Sequence, residues 1–219
     1  MPTIEDELWN RIVKPHLPSH PDAKLDKKQQ QDLSILIQHW VADCIQHYLE
    51  QLSEAAGLRD WPIVWQGKKN YLGAIRWQEV DVWIANEDTG LVLAVDPKHF
   101  QSKDSVGKNW KNGHNDLVAF ASNLHERFPL CAVGGIIALA EWASTPNILK
   151  QMHGICSRSI PRDRPLNAYG KFEGFALVIY NAKGELIWPF DADSNLKPGA
   201  AFHTLAEKVY SRTIAMVYF

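Results

Sequence analysis

Residues 79–98 constrain this chain more than any other stretch. Glu79-Val80-Asp81-Val82-Trp83-Ile84-Ala85-Asn86 and Leu91-Val92-Leu93-Ala94-Val95-Asp96-Pro97-Lys98 are two β-rich runs, separated by Glu87-Asp88-Thr89-Gly90. Asp, Thr and Gly in succession are turn chemistry, so the runs pair as an antiparallel hairpin. A turn centred between Asp88 and Thr89 makes partner numbers sum to 177. Asp81 then faces Asp96, and Glu79 faces Lys98. Side chains alternate along a strand, so these four share one face. Val80, Val82, Ile84, Leu91, Leu93 and Val95 form an apolar layer on the other, which a helix must cover.

The flanking sequence supplies that helix. From about Lys28 to Ala56, apolar residues recur with the helical period at Leu33, Leu36, Ile37, Trp40, Val41, Cys44, Ile45, Tyr48, Leu49, Leu52 and Ala55. Gly57 suits its C-cap. Residues 3–14 read as a short helix, and Pro15–Asp26 as a loop. Trp61–Trp65, Tyr71–Trp77, Val80–Ala85 and Leu91–Val95 read as strands. A second long helix starts at Asp104 or Ser105 and ends at Pro129, and Leu130–Ala140 reads as a buried strand. Pro146, Pro161 and Pro165 with Gly154 and Gly170 mark residues 142–171 as mostly loop. Phe172–Tyr180 and Glu185–Phe190 read as a hairpin around Ala182-Lys183-Gly184, and a last helix spans about 200–217. The expectation is one α/β domain with a mixed sheet flanked by helices. It divides into an N-terminal extension (1–27), a core (28–140) and a loop, hairpin and helix (141–219).

Composition excludes several classes. The 219 residues carry a formal net charge of −2, which argues against a wholly basic nucleic-acid binder but not against local patches. Three separated cysteines, with no CxxC, argue against a zinc ribbon or disulfide scaffold and for a reducing cytoplasm. The acidic N-terminus reads as no signal peptide, and no apolar run is long enough to span a bilayer, so no membrane role is expected. There is no P-loop, no GxGxxG at a strand–helix junction and no GxSxG elbow, and the nine histidines show no ligand spacing.

Two carboxylates directly opposite each other in a sheet repel. A divalent cation removes that penalty, and Mg2+ typically takes one or two carboxylates and keeps several waters. A lysine two residues beyond one ligand reaches the same water or a phosphate. Those are the parts for metal-assisted phosphodiester hydrolysis. Glu79 is a further candidate on that face, and its alternative is a cross-strand salt bridge to Lys98.

Asp81 followed by Asp96-Pro97-Lys98 at the end of the next strand resembles the motif of the PD-(D/E)XK nuclease superfamily, the restriction-endonuclease-like fold. The order of elements from Lys28 to Ala140 is similar to that family's αβββαβ core. Val80 stands where the family name has proline, and Pro97 lies inside the triplet, where it marks the point at which the strand leaves its ladder. The resemblance implies that Asp81, Asp96 and the carbonyl of Pro97 bind Mg2+ or Mn2+, and that Lys98 orients or activates the attacking water. Some members add a helical glutamate, for which Glu50 and then Glu54 are the candidates.

Positive charge is clustered. Residues 98–114 carry +3 and residues 150–171 carry +4, leaving −9 for the rest of the chain. Lys103, Lys108 and Lys111 follow the motif and suit phosphates. Arg158, Arg162 and Arg164, with Asn167 and Tyr169, lie in a segment that reads either as a DNA-contacting loop or as a solvated one. Among the nine tryptophans, Trp110 and Trp65 read as core or rim residues with base stacking as the alternative. His99 and His114 read as incidental polar residues. The expected function is Mg2+-dependent hydrolysis of double-stranded DNA, by analogy a type II restriction endonuclease acting as a homodimer on a palindromic site. The alternatives are another nuclease of the superfamily, in defence, mobile-element or repair processing, or a nucleic-acid-binding subunit that lacks the chemistry. The choice between DNA and RNA stays open at this point.

Overall fold

Six strands in a single mixed sheet organise the chain in a computed structural model. It describes residues 2–18, 25–58, 61–87, 89–162, 168–191 and 194–214, without the side chains of 103, 104, 213 and 214. The elements are α1 (Ile4–Ile12), α2 (Lys27–Ala55), β1 (Trp65–Leu72), β2 (Trp77–Asn86), β3 (Gly90–Phe100), α3 (Lys103–Arg127), β4 (Ala132–Ala140), α4 (Pro146–Cys156), β5 (Gly174–Tyr180), β6 (Leu186–Ile187) and α5 (Pro198–Val209). Strands lie in chain order. β1–β2, β2–β3 and β5–β6 are antiparallel, whereas β3–β4 and β4–β5 are parallel and joined by crossovers through α3 and α4. The architecture is α/β, and the order from α2 to β4 is αβββαβ.

α1, α2 and α3 each start where a side chain closes a capping box: Thr3 with Asp6, Asp26 with Gln29, and Ser102 with Ser105. α2 buries Leu33, Ile37, Trp40, Val41, Cys44, Ile45 and Leu49, and it packs on β1, β2 and β3. α5 lies on the same face. A Cβ on Gly134 would stand 2.8 Å from Leu205 and 3.1 Å from Val95, so glycine there lets α5 approach the sheet. α3 covers the opposite face, with Gly113 against the Phe100 ring.

Three elements depart from the sequence expectation. Trp61–Trp65 is not a strand up to Trp65, and the Tyr71–Trp77 run is broken by the turn Gly73–Arg76, so four expected strands become three. Residues 146–156 form α4 rather than loop. Thr145 caps it and Pro146 occupies the first turn, where a missing N–H is harmless. The last helix ends at Val209 and is followed by a π turn over Tyr210–Ile214, while the rest of the expected span, 215–217, lies outside the described residues.

The β2–β3 hairpin reaches the expected register by another route. Asn86 pairs with Gly90 and Ala85 with Leu91, which centres the turn on position 88. Gly90 adopts φ +75° to close it. A bulge then leaves Val92 unopposed, and from Ile84↔Leu93 to Val82↔Val95 partner numbers sum to 177. Val82↔Val95 is the last rung between these strands. Beyond it β3 stays with β4 as far as Phe100↔Leu139, while β2 stays with β1 as far as Trp77↔Leu72. The sheet therefore forks.

Candidate active site

Asp81 and Asp96 are the first residues past the last rung, one on each arm of the fork. Pro97 lies beyond that rung, where its missing N–H costs the β2 ladder nothing. The fork opens into a cleft of about 700 Å³. Its walls are the first half of α2 (Lys27, Gln31, Ser34, Ile35, Gln38), the start of β1 (Gln66, Gly67, Lys68), Glu79 and Asp81 of β2, and Pro97, Lys98 and His99 of β3.

Charge in the cleft is arranged in two pairs. Lys98 Nζ lies 2.7 Å from Asp96 Oδ2, with the Asp96 side chain 10% exposed. Glu79 pairs with Lys68 on β1. The expected Glu79–Lys98 bridge is thus replaced, because β2 has turned away from β3 by this point and toward β1. Among the described residues no ion pair forms at Asp81.

Both aspartates are hard to ionise here. Burial, then the charge of Asp96, raises the Asp81 carboxyl to about 6, against opposing pulls from Lys98 and Lys68. Asp96 is also raised, by burial first, although Lys98 works against it through charge and hydrogen bond. Of the other residues at the rim, His99 is half-buried and hydrogen-bonded to the Tyr180 hydroxyl at 3.0 Å. Burial lowers its pKa to about 4, so it is neutral at pH 7.

The helical glutamates do not reach this place. Glu50 accepts from Gln46 Nε2 at 3.0 Å, and Gln46 Oε1 accepts from Val64 N. Twelve residues of helix beyond Gln38 amount to roughly 18 Å. α2 instead presents amides. Gln31, Ser34 and Gln38 form a polar stripe at helical spacing, and Gln38 is buried. The signal in the sequence is Gln38 itself, a polar residue set between Ile37 and Trp40 on an otherwise apolar face. Lys68, also missed, sits within the β1 irregularity between Gln66 and Lys69.

The candidate phosphate-binding residues separate. Lys108 and Lys111 are exposed on α3, and Arg158 is exposed in the turn Ser157–Ser159. The Lys103 side chain, Arg164 and Asn167 lie outside the described residues. Arg162 is not on the surface. It is fully buried, with Nη1 2.9 Å from Glu173 Oε1 and 3.2 Å from the Pro129 carbonyl. Glu173 also takes Arg212, His125 and the Val133 N–H, so Arg162 ties its loop to the core. His114 is likewise interior, 2.9 Å from Ser159 Oγ. Trp110 is buried and Trp65 is 52% exposed.

No family model, no curated protein and no solved structure matches the chain. Among the described residues no group of three or more His, Cys, Asp or Glu is placed to hold a metal ion, and no helix is long and apolar enough to cross a membrane. The fork offers a smaller donor set: two carboxylates hindered from ionising chiefly by burial, with the charge of Asp96 also acting on Asp81, and Pro97 in the cleft wall. That set fits a hard dication of the Mg2+ kind, which needs only one or two protein carboxylates.

Proposed function

We propose that this protein is a divalent-metal-dependent nuclease that hydrolyses DNA phosphodiester bonds at the β2–β3 fork, with Mg2+ or Mn2+ held by Asp81, Asp96 and the Pro97 carbonyl. One observation carries the reading. Two carboxylates of raised pKa, Asp96 buried and Asp81 half-buried, flank the point where a sheet splits, with a lysine 2.7 Å from one of them. Paired carboxylates in that state are compensated by a cation. A bound dication supplies Lewis acidity toward a phosphoryl oxygen and makes water a better nucleophile.

The chain's own residues supply the rest. Lys98 opposes the rise in the Asp96 pKa and is 35% exposed, so its ammonium also faces the cleft where charge develops. Glu79 and Lys68 form the β1-side wall. Lys108, Lys111 and Arg158 are available to phosphates further along. The site suits a type II restriction endonuclease, in which a second copy would supply a second site for the opposite strand.

The test is incubation with plasmid and long viral DNA, in Mg2+ or EDTA, beside Asp96→Ala and Lys98→Ala. Discrete bands lost in EDTA and in both variants support restriction. A smear lost in the same way supports a nonspecific nuclease. DNA binding without cleavage in any divalent metal overturns the enzyme reading and leaves a binding subunit.

A further inference from the structure

The β1–β2 hairpin ends in an apex whose apolar side chains are exposed. Ile75 is 83% exposed, and its neighbours across and beside the turn, Trp77 and Leu72, are 66% and 49% exposed. Leu72 and Trp77 are direct cross-strand partners, so the three form one apolar ridge. The turn is not loose. Asn123 of α3 receives Ile75 N at 2.9 Å and Arg76 N at 3.3 Å on Oδ1, and it donates Nδ2 to the Arg76 carbonyl at 3.0 Å. Its own carbonyl receives Ala74 N. Gly73 has no room for a Cβ, which would stand 2.3 Å from the Asn123 amide. The buried amide therefore fixes a turn whose outward side chain is apolar.

Resting on the nuclease reading, we infer that this apex is a wedge that enters duplex DNA and unstacks a base step. The same hairpin carries exposed Lys68, Lys69 and Arg76, and its base forms the cleft wall through Gln66, Gly67 and Lys68. A phosphate backbone seated in the cleft thus meets cations first and the ridge next. Apolar side chains held beside cations are the means by which proteins unstack base steps. A second copy of the chain fits the ridge less well. Three side chains are far below the roughly 800 Å² per partner of a stable interface. A two-fold contact centred there would also bring Arg76 toward its own copy.

The experiment compares wild type with Ile75→Ala and Trp77→Ala on plasmid DNA in Ca2+, reading unstacked thymines by permanganate and affinity by filter binding. Exposed side chains can be truncated with little effect on folding, and unchanged thermal melting checks this. The wedge predicts protein-dependent thymine reactivity that both variants lose, with affinity weaker by at least about fivefold, the scale of one lost base contact. Asn123→Ala, which frees the turn, should lose the reactivity while retaining Ile75. Binding and cleavage with no reactive thymines, or with reactivity unchanged in the variants, overturn the wedge and leave the nuclease intact. Sedimentation showing a dimer lost in Ile75→Ala, with DNA binding unchanged, overturns it in favour of self-association. Neither binding nor cleavage by wild type overturns both.

Discussion

Lys98 pairs with Asp96, two residues back on its own strand, with Nζ 2.7 Å from Oδ2. It does not pair with Glu79 across the sheet. The ammonium therefore has two duties: it offsets the buried charge of Asp96, and it faces the cleft. Lys98→Ala should lower cleavage by about 10² to 10⁴-fold, the range for a group that assists proton transfer or charge development. Metal binding, followed by calorimetry with Mn2+, should persist in Lys98→Ala, because both carboxylates remain, and should be lost in Asp96→Asn. Equal loss of metal affinity in the two variants would show that Lys98 only holds the ligand in place.

Asp81 gives a pH dependence opposite in sign to that of a salt-bridged carboxylate. Its folded-state pKa is about 6, above the roughly 3.9 of an unfolded aspartate. Between those values the folded state binds more protons, so stability falls as pH rises from about 4 to 6 and is level above. Asp81→Asn removes this cost. Two pH units would correspond to about 3 kcal/mol; partial exposure and screening reduce the expected gain to about 1–2 kcal/mol. Chemical denaturation at pH 8 should show the variant more stable, with the difference gone near pH 4. Mg2+ should narrow the gap at pH 8 by stabilising wild type alone.

The β2–β3 hairpin was legible in the sequence because it depends on alternation and turn chemistry, which are local; the fork at its open end was not. The register of Val82–Ile84 against Leu93–Val95 came out as expected, by two offsetting differences, a turn half a residue away from the expected centre and the Val92 bulge, but the ladder ends at Val82↔Val95, so the expected Asp81–Asp96 and Glu79–Lys98 rungs do not form. Neither the turn offset nor the bulge has a sequence signal as strong as the alternation itself. What was hidden depends on distant parts of the chain. Glu79 meets Lys68 because β2 stays paired with β1 past the last β2–β3 rung, and the end of that hairpin is fastened by Asn123, about 50 residues away in the chain. Arg162 looks like any loop arginine until Glu173 appears beside it. α4 was masked by Pro146, a loop signal that is also a helix-start signal.

Glu173 is the pin on which the far end of the sheet depends. It is buried beside Arg162, Arg212 and His125 and accepts the Val133 N–H at 2.8 Å. Burial alone would raise its pKa, but the His125 hydrogen bond and charge, then Arg212 and the Val133 N–H, outweigh it and hold the carboxyl near 2. Its contribution is therefore full above the unfolded pKa of about 4.3 and is lost as pH falls toward 2. Glu173→Ala should cost about 3–5 kcal/mol by leaving buried guanidinium charge uncompensated. Urea unfolding at pH 7 measures that loss. Acid titration by near-ultraviolet circular dichroism should show Glu173→Gln lacking the wild-type loss of stability between about pH 4 and 2.

Lys68 separates a phosphate contact from a wall-holding ion pair. It is 64% exposed in its side chain, pairs with Glu79, and lines the cleft beside Asp81. If it meets a DNA phosphate, Lys68→Ala should weaken binding across all sequences and reduce the slope of log affinity against log salt by about one. Glu79→Gln keeps the lysine and removes its competitor, so it should leave that slope unchanged and bind DNA as well as wild type or more tightly. Filter binding over a salt series distinguishes the two. A common loss in both variants, with no change in slope, would assign the pair to holding β1 against β2, and Lys68 would then have no contact with the backbone.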